Sequence, residues 1–133
     1  MQDRPDHDEL LGAIEGFLRT EILPNSDGAR RFQARVAVNT LQIVRRELAR
    51  TDEQLTAERG RLRNLLGVPA TADTAGSHHL RAQVRELTAA LCERIRAGEA
   101  DEGTFGLAVR EHVRATVREK LEVTNPGWLE PVS

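Results

Sequence analysis

Apolar positions recur at helical spacing along nearly the whole chain. Leu10, Leu11, Ile14, Phe17, Leu18 and Ile22 repeat at intervals of three and four behind an Asp6 to Glu9 capping pattern, and Pro24 stops the run. A first helix is expected there. Turn residues from Asn25 to Gly28 follow. From Ala29 to Arg50 no Gly or Pro interrupts a segment bearing Phe32, Val36, Ala37, Val38, Leu41, Ile43, Val44 and Leu48. These cover most of a helical circumference, as expected of a second helix running through the middle of the fold. Arg31, Arg35, Gln42 and Arg46 confine its polarity to a strip, with Asn39 on the border and expected to be half buried. Thr51 with Gln54 repeats the capping-box pattern. It predicts a third helix on Leu55, Leu62, Leu65 and Leu66, closed by Gly67 and Pro69 and folded on the second as a tight hairpin.

From Gly67 to Ser77 the residues are small or polar, with one Pro, and a mobile loop is expected. Leu80, Val84, Leu87, Leu91 and Ile95 make the cleanest stripe in the chain, a fourth helix that Gly98 ends. A loop to about Thr104 leads into a fifth helix, which stops near Asn125 because the residue before Pro126 is driven out of helical geometry. Trp128 is left on a short tail from which it can fold back. No segment alternates at period two and no internal repeat is visible. The expectation is an all-α, compact bundle of about five helices with helix two central, a single helical domain over residues 1–133.

Composition narrows the functions. A chain of 133 residues can bury one core without disulfides or metal. With 30% charged residues and a net charge of -2, it lacks the general electrostatic pull toward nucleic acid or anionic membrane, and neither is an expected partner. Arg81, Arg85 and Arg96 share one side of the fourth helix, and Arg110, Arg114 and Arg118 the outer side of the fifth. Glu86, Glu93, Glu111 and Glu119 interrupt both rows, which favours solvated faces or a docking surface over a DNA-reading helix. No run approaches the ~20 apolar residues of a membrane span. Arg4, Asp6, Asp8 and Glu9 crowd the end where a signal peptide would be apolar, and a lone Cys92 cannot form an internal disulfide. A cytoplasmic location is expected. Cys92 flanks an apolar stripe and reads as a buried, inert thiol. His78 and His79 diverge by about 100° on a helix, so no metal site and no cofactor are expected.

One polar ridge interrupts this pattern. His112, Thr116 and Lys120 lie four apart on the side of the fifth helix that also carries Phe105, Val109, Val113 and Val123. Lys120 is the only Lys among 19 cationic side chains. An ammonium buried without a partner is costly, so a fold that retains one supplies an acid or a ligand. Glu21, on the inward side of helix one, and Glu47, one turn beyond Ile43, are the candidate charge partners. The residues leave two readings open. Lys120 is a paired or snorkelling structural cation, or it forms with His112, helped by Arg35, a pocket for a carboxylate or phosphate. Arg35 and Asn39, one turn apart, could hydrogen-bond a common acceptor or fasten loops. No spacing suggests a catalytic triad or an acid–base carboxylate pair.

Several segments together resemble an uncharacterised family of small bacterial proteins classed as a domain of unknown function. They are residues 1–6, Phe17-Leu18 to Leu23-Pro24, Arg31-Phe32 through Arg35-Val36-Ala37 to Asn39, Leu65-Leu66-Gly67, residues 91–98, and His112 to Thr116 through Lys120-Leu121 to Asn125-Pro126. The resemblance implies context: members are often encoded beside an aminoglycoside-phosphotransferase-like kinase and acyl-CoA dehydrogenases. This chain has no glycine-rich phosphate loop and no kinase Asp motifs, so it is not itself that kinase. From Ala100 to Gly106 it departs from the family pattern, where an acidic, leucine-bearing stretch is more usual. The expected function is a non-enzymatic accessory or interaction protein, partnering a phosphotransferase-like kinase or pairing with itself as a homo-oligomer. The alternative is a small anionic-ligand-binding or catalytic bundle built on His112, Thr116, Lys120, Arg35 and Asn39, with His112 positioned to transfer a proton.

Overall fold

The capping pattern at the first helix forms as its residues predict. In the computed structural model, which describes residues 4–70 and 77–130, the Glu9 amide donates to Asp6 Oδ1 at 2.8 Å and the Asp6 amide donates to Glu9 Oε2 at 2.9 Å. Helix α1 runs His7–Phe17 and widens into a π turn over Leu18–Ile22, which closes with the Leu23 amide on the Leu18 carbonyl at 2.9 Å. Three further helices follow: α2 (Gly28–Leu66), α3 (Ser77–Arg96) and α4 (Gly103–Thr124), with a 3-10 turn over Pro126–Leu129. No strand occurs among the described residues.

The expected second and third helices are one, and there is no hairpin between them. Thr51 lies inside α2 and does not open a new helix. The reason is visible in the residues. No Gly or Pro lies near Thr51, and Ala34, Leu41, Leu48, Leu55 and Leu62 keep a seven-residue interval straight through it. A capping pattern without a breaker loses to continued backbone hydrogen bonding. Gly67, at φ 69, then ends α2 in the left-handed conformation that glycine adopts without strain. Most of the loop expected from Gly67 to Ser77, residues 71–76, lies outside the described residues.

The chain separates into two compact units, Met1–Ala49 and Arg50–Ser133, with α2 continuous through the boundary. In unit 1 the buried apolar side chains among the described residues are Ala34 and Val38, and the third buried residue is an acid, Glu15. Its carboxylate accepts from Gln42 Nε2 and Arg45 Nη1, both at 2.8 Å, and Arg45 also reaches the two Asp8 oxygens at 2.7 and 3.1 Å. The Gln42 hydrogen bond, with those of Arg45, holds the Glu15 carboxyl below the usual carboxylate range despite burial. Asp8 is held low chiefly by its hydrogen bonds from Arg45. Polar groups therefore clamp α1 to the first part of α2. Asn39, expected at the border of a buried face, is exposed.

Unit 2 has a conventional core of Leu62, Val84, Leu91 and Val109, with Leu55, Leu65, Leu66, Leu87 and Phe105 packed against it. Leu62 is 0% exposed. The segment between α3 and α4 is fixed at Gly106, where an added Cβ would stand 2.3 Å from the Ala100 carbonyl oxygen. Only a glycine permits that approach. Arg94 seals the same corner: its guanidinium lies 4.0 Å from the Phe105 ring centroid and Nε donates to Glu99 at 2.7 Å. Trp128, expected to fold back, is 76% exposed on its 3-10 turn.

Candidate functional site

The registration of α4 on the second half of α2 sets the surroundings of the polar ridge. Arg61 Nη1 and Nη2 donate to the two Glu119 carboxylate oxygens at 2.8 and 2.6 Å, Gln54 Nε2 donates to the Glu119 carbonyl at 3.1 Å, and Arg50 reaches Glu122 at 3.0 Å. These bonds form a polar seam along the two helices. Val109, His112 and Val123 are buried on the same side of α4, and Thr116 is half buried between them. Three polar atoms in this part of unit 2 are buried without a hydrogen-bond partner: Arg61 Nε, His112 Nδ1 and Thr116 Oγ1. Desolvation lowers the His112 pKa, and the nearby Arg61 charge adds to it against Glu119. The imidazole is consequently neutral at neutral pH.

Lys120 departs from expectation. It is exposed, and within unit 2 the acid Glu58 faces it electrostatically. Glu21 and Glu47 are exposed residues of unit 1, whereas Lys120 belongs to unit 2. The second half of the continuous α2 brings residues 54–61, Glu58 among them, alongside α4. Nor do His112 and Lys120 share a pocket. His112 lines a groove of about 680 Å³ with Arg61, Asn64, Leu65, Thr104, Phe105 and Glu111. Lys120 lines another of about 610 Å³ with Leu55, Glu58 and one whole face of α3. Thr116 lines neither. Cys92, expected as a buried thiol, is half buried and opens onto the Lys120 groove.

Arg35 and Asn39 are both exposed residues of unit 1. Their neighbours give them a different setting. Phe32 with Val36, and Val44 with Leu48, are exposed apolar pairs at multiples of four along α2, either side of Thr40 in a row that winds about 160° around the helix, with Phe32 67% exposed. Arg35 stands three residues from Phe32 and Asn39 three from Val36, which places them along its margin. Leu10, Ile14 and Phe17 make a second exposed apolar row on α1. Sequence reading assigned these side chains to a core because helical periodicity records which residues share a face and not whether that face is covered. It passed over Glu15 for the same reason, since a single acid inside an apolar stripe carries no signal of the Gln42 and Arg45 that receive it.

Among the described residues no group of three or more His, Cys, Asp or Glu could hold a metal ion, and no helix is long and apolar enough to cross a membrane. Residues 24–128 match the family described as Domain of unknown function (DUF6285), and the chain belongs to that family. No curated protein and no solved structure matches it.

Proposed function

We propose that this protein is a non-enzymatic accessory protein that docks a protein partner through the apolar rows of unit 1, the partner being a phosphotransferase-like kinase of the kind its family resemblance implies. One observation carries the reading: unit 1 leaves Leu10, Ile14, Phe17, Phe32, Val36, Val44 and Leu48 at least one third exposed while burying, among its described apolar side chains, only Ala34 and Val38. Apolar side chains left uncovered in such number are a common mark of a surface that something binds. At these exposures the seven side chains offer on the order of 600 Å² of surface, close to the ~800 Å² per partner of a standard interface. Arg35 and Asn39 supply the polar margin that such interfaces carry.

Co-expression of the full chain with a phosphotransferase-like kinase of the kind the resemblance implies tests the reading. The two should co-purify, and Phe32→Asp with Val36→Asp should abolish the complex while the helical circular-dichroism signal is unchanged. A complex insensitive to both substitutions, or none at micromolar concentrations, contradicts it. The anionic-ligand alternative draws on a single feature, the buried neutral His112 beside its groove. Lys120, a cation it needs, lines another groove.

A further inference from the structure

The groove that contains Lys120 has a charge and surface pattern that the docking of unit 1 does not use. One face of α3, from Arg81 through Val84, Arg85, Thr88, Ala89 and Cys92 to Arg96, forms its long wall. Cations stand at both ends and small or apolar groups between them. Thr88 Oγ1 is committed to the Val84 carbonyl at 2.7 Å, so its hydroxyl is already satisfied. Four cationic residues line the groove against two acids, Glu58 and Glu93, in a chain whose net charge is -2. Arg96 is paired with Glu93. Arg85, by contrast, makes no ion pair among the described residues, and Lys120 has only the electrostatic neighbour Glu58. Burial, reinforced by Glu119, raises the Glu58 carboxyl above its ordinary range, against the pull of Arg61 and Lys120.

We propose that this groove binds a small amphiphilic anion, its carboxylate or phosphate held between Arg85 and Lys120 and its apolar chain laid along Val84, Ala89 and Cys92. A volume of about 610 Å³ suits such a molecule and falls within the usual range for small-ligand sites. The anion replaces Glu58 as the partner of Lys120. The site is independent of the unit 1 docking surface, so either reading can fail without the other.

Cys92, the only cysteine of the chain, is a built-in reporter because it lines the groove. Octanoate and octyl phosphate, titrated into the full chain by calorimetry, should bind and should slow the reaction of Cys92 with an aromatic disulfide reagent. Octanol, with the same chain and no charge, should bind at least about tenfold more weakly. Arg85→Gln and Lys120→Gln should each weaken both anions roughly tenfold, Lys120→Arg should retain binding, and Glu58→Gln should tighten it. The ratio of octanoate to octyl phosphate affinity identifies the preferred headgroup. Because Arg85 and Lys120 are exposed, these variants should keep the wild-type fold. Equal binding of octanol, wild-type anion affinity in Arg85→Gln and Lys120→Gln, or no protection of Cys92 at millimolar anion overturns the proposal.

Discussion

Unit 1 buries a carboxylate and leaves its phenylalanines in solvent, whereas unit 2 buries a core of leucines and valines even though Leu107, Val113, Val117 and Trp128 stay exposed. Both halves were built from the same signal, apolar residues at helical spacing, and the same long helix serves both. The difference is in the number of elements available to cover each stripe. Unit 2 has three helices for its core, and Leu62 disappears completely. Unit 1 has α1, a π turn and the first part of α2, two rods that can hide only a line of small residues between them. Its cohesion comes from Glu15, Gln42, Arg45 and Asp8. The apolar rows left outside are the physical ground for assigning this half to a partner.

The contrast can be broken most severely in unit 2. Leu62→Ala should cost about 3–5 kcal/mol, read by denaturant unfolding, because nothing nearby can fill the vacated volume. Phe32→Asp in unit 1, although it removes a larger apolar group, should change stability by less than about 0.5 kcal/mol. Comparable costs for the two would erase the distinction. Next in size is Gly106→Ala: its Cβ meets backbone at Ala100, and overpacking of this kind should cost about 1–3 kcal/mol and loosen the start of α4.

The smallest effect sharpens the comparison through pH. His112 has its pKa lowered from an ordinary 6.5, so the unfolded chain binds more protons than the folded one as pH falls below that value, and stability falls with it. One proton sets the slope at no more than about 1.4 kcal/mol per pH unit. Glu58, raised by burial, acts in the opposite sense and partly offsets the loss at lower pH. Glu15 and Asp8 are depressed, so their contribution is complete above their ordinary 4.5 and 3.8 and is lost as pH falls through their lower folded values. Acidification should therefore weaken amide protection in α4 before it weakens α1. His112→Phe should remove the first step and leave the second.

The sequence was informative wherever a local rule had no competitor. The Asp6 and Glu9 cap, the Pro24 and Gly98 stops, the α3 stripe and the end of α4 before Pro126 could all be read because each depends on residues within one or two turns. At Thr51 two local rules conflicted, a capping box against an unbroken heptad of apolar positions, and the heptad prevailed. The ridge of His112, Thr116 and Lys120 was correctly placed on the inward side of α4 as far as His112 and Thr116. Lys120 escaped because its long side chain reaches a groove whose far wall is α3, a neighbour that spacing cannot identify. The acid facing it was missed for the same reason.

Hydrogen exchange on the full chain, alone and with the proposed phosphotransferase-like partner, is the most direct measurement of the central claim that unit 1 is the docking half. Added protection should be confined to amides of α1 and of α2 between Gly28 and Ala49, with α3 and α4 unchanged. Protection that falls on α3 and α4 while α1 continues to exchange as in the free protein would contradict it.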